Sequence, residues 1–308
     1  MTTTEKTFFK FTAEQAAAYA SGRGGSYPLP LYERLLNYHQ GARNLILDVG
    51  TGPGKVLFDL LPHFASGIGT DSSPGMIAQA QHDAAARGLA DKARFQVYSG
   101  EESDKAVVPP EAADVITVAM AAHWIDMPTF YTAAARALRP GGTLAMWTCS
   151  SYYVHPSEAN ASLIQAALYD LEDGMLAPYR HAGNVLTRNA YDALPLPWTI
   201  EGFESAFEKA SFERRDWDRG GVPSAAAQAD GSPGPFLKHE EEKLVDLEAG
   251  LGSASMVVRW REANPDKALT DEDPVVVTMK RLRELAGGRE GLVLSPSYSL
   301  LLMRTRRP

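Results

Sequence analysis

Asp48-Val49-Gly50-Thr51-Gly52-Pro53-Gly54 sets three alternating glycines just behind a carboxylate. Glycine lets a backbone turn sharply and approach a ligand with no Cβ in the way. A helix opening after such a turn offers unpaired N–H groups to a polar or anionic ligand. The dinucleotide pattern Gly-x-Gly-x-x-Gly needs its third glycine where Lys55 stands. A second carboxylate, Asp71, ends the next apolar run, where it can accept hydrogen bonds from both hydroxyls of a ribose. His123 lies just beyond a later apolar run, next to Trp124. A histidine, with an ordinary pKa near 6.5, can orient an acceptor or take its proton there. A main-chain hydrogen bond would be its purely structural use. Trp124 and Trp147 are either core residues or pocket walls, an aromatic face being a favourable seat for a cation.

The spacing Asp-x-Gly-x-Gly-x-Gly resembles motif I of the class I S-adenosylmethionine methyltransferases, in which this loop lies beside the methionine part of the cofactor. Asp71-Ser72-Ser73-Pro74-Gly75-Met76 looks like that family's continuation, Asp-x-Ser-x-x-Met. Ser99-Gly100-Glu101-Glu102 stands where members carry an acid that meets the adenine, and Glu101 fits better than Glu102. Met120-Ala121-Ala122-His123-Trp124-Ile125-Asp126 resembles a narrower group, the fungal trans-aconitate and cantharidin methyltransferase-like enzymes. Ala137 to Trp147, and more weakly Ser253 to Pro265, agree with it. Tyr19 and Arg23 match a Tyr-x-x-x-Arg piece that folds over the cofactor in related enzymes, Arg23 pairing with its carboxylate.

The resemblance implies S-adenosylmethionine as cofactor and S-adenosylhomocysteine as product; the spacing of the seven histidines suggests no metal site. The resemblance assigns the cofactor to Tyr19, Arg23, Asp48, Gly50, Thr51, Gly52, Gly54, Asp71, Ser72, Met76, Glu101 and Met120. It assigns the methyl acceptor to Tyr27, His123, Trp124 and Trp147, with His123 as the catalytic group. The acceptor is expected to be a small molecule methylated on oxygen, nitrogen or sulfur. If it is a polycarboxylic acid, Arg180, Arg188 and Arg259 are candidates for its second carboxylate. Two alternatives stand beside this: an NAD-dependent oxidoreductase on a similar sheet, and an S-adenosylmethionine-binding cyclase or regulator that does not methylate.

These residues need elements to place them. Leu45–Val49, Ser66–Thr70, Arg94–Tyr98, Ala113–Ala119 and Thr143–Thr148 read as strands. Pro53–Phe64, a helix opened by Ser73-Pro74, and Met127–Leu138 read as the helices between them. Alternation of this kind predicts an α/β Rossmann-like fold: a seven-stranded, mostly parallel sheet with helices on both faces and a helical lid or substrate-binding insertion. Residues 1–40 are expected to cover the cofactor, 41–150 to form the cofactor-binding core, and 151–308 to supply the lid and the last strands. Within the last part, Gly202–Ala210 reads as a short helix, Ser211–Asp218 as a strand and Gly220–Pro235 as a mobile loop. Phe236–Glu262 reads as a helix broken near Gly250-Leu251-Gly252, followed by another helix after Pro274 and a last strand at Tyr298–Arg304.

Composition bounds the remainder. The 308 residues are 44% hydrophobic and 22% charged, which is globular rather than disordered or fibrous. A net charge of −8 argues against a general nucleic-acid binder, which needs a basic face. Cys149, the lone cysteine, permits no intrachain disulfide and reads as a small core residue. No apolar run reaches the roughly 20 residues that span a bilayer, and the N-terminus shows no leader pattern. The expectation is a cytoplasmic monomer or homodimer with no membrane partner.

Overall fold

The computed structural model describes residues 16, 19, 25–238 and 241–306, so Arg23 lies outside the described residues. Strands β1 (Leu45–Val49), β2 (Ser66–Asp71), β3 (Ala93–Val97), β4 (Ala113–Ala119), β5 (Leu138–Val154), β6 (Glu213–Trp217) and β7 (Leu294–Arg304) form one seven-stranded sheet. Their order is β3-β2-β1-β4-β5-β7-β6. The first five strands pair in parallel, and β7 runs antiparallel between β5 and β6. The central strands are apolar on both faces because helices cover both.

Helices α1 (Leu29–Tyr38), α2 (Lys55–Leu60) and α3 (Pro74–Ala86) cover one face, with Leu31, Leu57 and Ile77 packed around Ile46, Val115 and Ala145. The other face carries α4 (Met127–Ala137), whose Phe130 and Ala134 join Leu47, Ile116 and Leu144. Local chemistry sets these starts. Ser73 caps α3 by accepting the Met76 N–H, with Pro74 in the first turn. Asp126 caps α4 through the Thr129 N–H. A third apolar cluster lies beyond the sheet. It joins Ile164 of α5 (Ala161–Tyr169), Leu247 of α7 (Leu244–Gly252), Val257 of α8 (Ser255–Ala263) and Met279 of α9 (Pro274–Ala286). The short α6 (Ala182–Arg188) packs against β5, and its Asn184 hydrogen-bonds to Ser255 and Arg259 of α8. Among the described residues no helix is long and apolar enough to cross a membrane.

Several expected elements differ in detail. The helix expected from Pro53 starts at Lys55 and tightens into a 3₁₀ turn at Leu61–His63, where Pro62 cannot continue the α pattern. β5 begins at Leu138, absorbs the Pro140-Gly141-Gly142 break as a register shift, and continues to Val154, so the division expected at 150 falls inside it. Gly202–Ala210 is not a helix. Gly202 sits at φ 70°, and Phe207 leaves the segment to bridge Thr305. The helical spacing of Phe203 and Phe207 instead serves packing: both rings meet Tyr131, at 6.3 and 5.8 Å between centroids. The broken helix after Phe236 starts only at Leu244, and its break falls at Ser253-Ala254. The glycine- and proline-rich loop is pinned at both ends by Asp218, whose carboxylate accepts the N–H groups of Ser224 (2.8 Å) and Leu237 (2.6 Å).

Candidate functional site

The glycine loop leaves the carboxyl end of β1, beside the end of β4, where ligands bind in open α/β sheets. Asp48 is 1% exposed and accepts two hydroxyls, Thr51 Oγ1 on Oδ2 and Thr117 Oγ1 on Oδ1, both at 2.6 Å. It ties the loop to β4, with both carboxylate oxygens engaged inside the fold, where a cofactor contact was expected. Burial pushes its carboxyl up to about 7, against the pull of the two hydroxyls. The Thr51 N–H donates to Thr70 O at 2.9 Å, which fastens the loop to β2 as well.

Gly50 has φ 66°, and a Cβ on it would stand 2.5 Å from that of Ala121. Gly52 has φ 54°, and a Cβ there would enter open space. Glycine at this position therefore keeps a surface bare for a ligand. Asp71 closes the cleft: Oδ2 accepts the Gly52 N–H and Oδ1 the Ser73 N–H, each at 2.9 Å. Burial raises its carboxyl and the two amides lower it, the net shift being upward. Each oxygen keeps acceptor capacity beyond its one amide, so a diol-bearing ligand can still be bound. The bare glycine edge and the fixed carboxylate fit the ribose and amino-acid ends of S-adenosylmethionine. Of the other residues singled out here, Ser72 is exposed, while Met76, in the first turn of α3, is 3% exposed. Glu101 accepts the Asp126 N–H at 2.9 Å, so one of its oxygens braces the start of α4.

Met120 follows β4 in a left-handed conformation, φ 52°. Its sulfur faces the Cys149 N–H at 2.9 Å. His123 and Trp124 occupy the 3₁₀ turn after it, with ring centroids 4.5 Å apart. Met120, His123, Trp124, Tyr27 and Tyr19 line one cavity of about 1040 Å³ that runs from Lys55 at the start of α2 to Ala254 and Ser255 at the start of α8. Trp147 is outside it: fully buried, it meets Tyr27 and Tyr32 edge-on at 5.4 and 6.2 Å. It supports the wall that Tyr27 forms, which corrects its expected role as a substrate contact. Cys149 is the opposite case. Expected in the core, it is half-buried and lines the cavity: β4 ends opposite Trp147, so at Cys149 the strand is paired with β7 alone.

The lid contributes charge. Arg180 and Arg188 line the cavity and pair with Asp173, and Arg188 also pairs with Glu172. Glu172 accepts the Ser151 hydroxyl at 2.6 Å; burial raises its carboxyl more than Ser151 and Arg188 lower it. Arg259 instead holds the lid together, donating to Tyr179 O at 2.9 Å and Asn184 Oδ1 at 2.7 Å. No sequence motif marks Glu172 or Tyr191, and Lys55 stands out only as the break in the dinucleotide pattern. Tyr191 Oη lies 2.8 Å from His123 Nδ1 across 68 positions of chain, a contact that no local pattern announces.

Residues 46–142 match the methyltransferase domain family. The chain is 34% identical over 131 residues to a protein of Saccharomyces cerevisiae named as the S-adenosylmethionine-dependent methyltransferase CRG1, covering 42% of this chain and 43% of that one. It is 33% identical over 149 residues to the methyltransferase cfoB of Aspergillus candidus, covering 47% of this chain and 45% of that one. The aligned part thus spans less than half the length of these relatives. A solved structure from Anaeromyxobacter dehalogenans, named for a type II methyltransferase, superposes with a TM-score of 0.58 at 23% identity, over 92% of this chain and 97% of that one. That likeness is one of fold.

Proposed function

Starting from a chain that carries a class I S-adenosylmethionine-dependent methyltransferase domain, we propose that it methylates a small molecule held in the cavity beneath the helical lid. The observation that carries this reading is the continuity of that cavity, from Lys55 beside the glycine loop, past Met120 and His123, to the start of α8. Its volume, about 1040 Å³, suits a small organic acceptor and is far from a nucleic-acid groove. The narrower resemblance to fungal enzymes that methylate small molecules supports the same reading.

S-adenosylmethionine supplies a methyl group already activated on a sulfonium. The chain's own residues have three tasks. Gly52 and Asp71 hold the ribose side, and the left-handed Met120 turns the chain so that His123 reaches the cavity. Tyr27 and Trp124 give aromatic walls that exclude water and favour a cation. The lid fixes the acceptor in line with the methyl, and such alignment supplies most of the acceleration in a displacement of this kind. In this reading Tyr19, Arg23 and the rest of 1–40 cover the cofactor, and 151–308 forms the acceptor side. When bound, the donor would supply this methyl to the acceptor's lone pair, with Gly52 and Asp71 holding the donor and the lid holding the acceptor. A neutral acceptor also gives up a proton.

The test is calorimetric titration with S-adenosylmethionine, S-adenosylhomocysteine and NAD, followed by transfer of labelled methyl to a panel of carboxylic acids, phenols, amines and thiols. Wild type should bind both adenosyl ligands and methylate at least one class. Asp71→Ala should weaken binding at least about tenfold, since charge-assisted hydrogen bonds of this kind carry about 1.5–3 kcal/mol each. Binding without transfer to any class would move the assignment to a non-methylating protein. NAD binding in place of the adenosyl ligands would restore the oxidoreductase.

A further inference from the structure

The setting of Glu172, on the lid side of the cavity, differs from that of a surface ion pair. After α5 the chain widens into a π-helical turn, Asp170–Met175. Such turns are rare and concentrate at functional sites. This one carries two consecutive carboxylates that both meet Arg188 of α6, Glu172 through Oε2 on Nη1 and Asp173 through Oδ2 on Nη2. Arg180 braces the same turn, donating through Nη2 to the Glu172 main-chain oxygen at 2.8 Å and to Asp173.

Glu172 divides the work of its two oxygens. Oε2 accepts from Arg188 and from the Ser151 hydroxyl, the latter at 2.6 Å. A bulge presents that hydroxyl: the pairing of β5 with β7 passes from Cys149–Tyr298 to Tyr152–Pro296 and skips Ser150 and Ser151. Oε1 has no hydrogen-bond partner among the described residues. The side chain lines the same cavity as Met120, His123 and Cys149. A carboxylate anchored by one oxygen has a fixed direction, and its other oxygen keeps its full capacity to accept. Arg188 and Arg180 favour the ionised form, Asp173 opposes it, and burial holds the proton affinity above that of an ordinary glutamate. A general base needs that combination, ionised before the reaction and willing to take a proton during it.

We infer that Glu172 is the general base of the transfer, its Oε1 taking the proton of a neutral hydroxyl on the acceptor. The inference rests on the proposed reading of the cavity as the acceptor site. The hydroxyl oxygen gains the methyl, the electron pair of the broken methyl bond staying on the donor's sulfur, and the hydroxyl proton passes to Glu172 Oε1. The carboxylic acid so formed gives that proton to water. Arg180, which also lines the cavity, disfavours an ammonium group there. A carboxylate acceptor needs no base. The acceptor class is therefore an acidic hydroxyl, a phenol or an enol.

The test measures methyl transfer by the full chain, across pH, to carboxylic acids and to a series of phenols of rising acidity that ends in nitrophenol. Wild-type kcat should fall as pH drops through a limb above the ordinary glutamate range. Glu172→Gln keeps an oxygen for Ser151 and Arg188 but cannot take the proton. That limb should vanish in the variant, and kcat on phenol should drop about 10²–10⁴-fold, the usual worth of a positioned base. The loss should shrink along the series and nearly disappear for nitrophenol at a pH where it is already ionised. A purely structural Glu172 predicts equal losses throughout, and that result would overturn the inference, as would unchanged rates or transfer confined to carboxylic acids. Ser151→Ala is the second variant. Without that hydroxyl the carboxyl binds its proton more tightly, so the limb should move to higher pH, and a stationary limb refutes the base even if Glu172→Gln does not fold. With no acceptor present, ¹³C-glutamate spectra should show one carboxyl signal, displaced in Ser151→Ala, that titrates above the ordinary range; titration within that range also refutes it. A wild type that binds S-adenosylmethionine but methylates no class would instead remove the proposed function, and this inference with it.

Discussion

Asp48 and Asp71 show how two carboxylates with similar sequence credentials divide their labour. Asp71 is fixed by two amides and keeps acceptor capacity for a ligand, whereas Asp48 has both oxygens engaged by threonines inside the fold. Burial raises the Asp48 carboxyl from an ordinary 3.8 to about 7. A carboxyl raised by folding binds its proton more tightly in the native state. Its contribution to stability is therefore complete below about pH 4 and is lost as pH climbs through about 7. Asp48→Asn removes this titration, so between about pH 4 and 7 the variant should lose less thermal stability than wild type. Melting curves across that window check it, and equal slopes would contradict the assignment. The spacing of glycines and acids revealed both carboxylates, because a tight turn needs its residues adjacent in sequence. It could not show which carboxylate was buried, since that depends on Thr117 of a distant strand. Tyr191 was illegible for the same reason.

Packing between elements shapes the side of the cavity proposed for the acceptor. Gly183 of α6 lies against the 3₁₀ turn after β4, and a Cβ there would stand 2.3 Å from Trp124 Cζ3 and 2.8 Å from the His123 carbonyl. The indole can rotate away, but the carbonyl cannot. Gly183→Ala should therefore cost about 1–3 kcal/mol of stability, the usual range for overpacking. It should lower methyl transfer while leaving S-adenosylmethionine affinity within about twofold, because the glycine loop is untouched. Calorimetry and turnover on one preparation separate the two effects, and parallel losses would show that α6 also supports the cofactor cleft. The sheet elements were legible because buried parallel strands are continuous apolar runs bounded by glycine, aspartate or proline. The lid was less so: Phe203 and Phe207 have helical spacing, yet their partner is the distant Tyr131, and tertiary packing overrode the local signal.

At the scale of the molecule, β5 and β7 couple the two halves of the chain. They pair from Thr143–Arg304 to Val154–Leu294, so the cofactor-side sheet depends on the last residues described. A fragment of residues 41–150 should expose β5 as a long apolar edge and aggregate instead of folding. Expression followed by size-exclusion chromatography tests this, and a soluble monomer that binds S-adenosylmethionine would show the core to be autonomous. The same ladder has an evolutionary reading. Val154 and Leu294 are partners, and His155 and Val293 are joined by a 2.9 Å main-chain bond, so the long excursion between them departs and returns at a single address. Among the described residues of this excursion, β6 re-enters the sheet at its edge, and Phe207 adds a single bridge to Thr305. Closing an insertion between adjacent anchors costs entropy that grows only logarithmically with its length. Descendants of this chain can thus lengthen, shorten or rebuild the excursion, and with it the proposed acceptor side, while the parallel half of the sheet stays as it was.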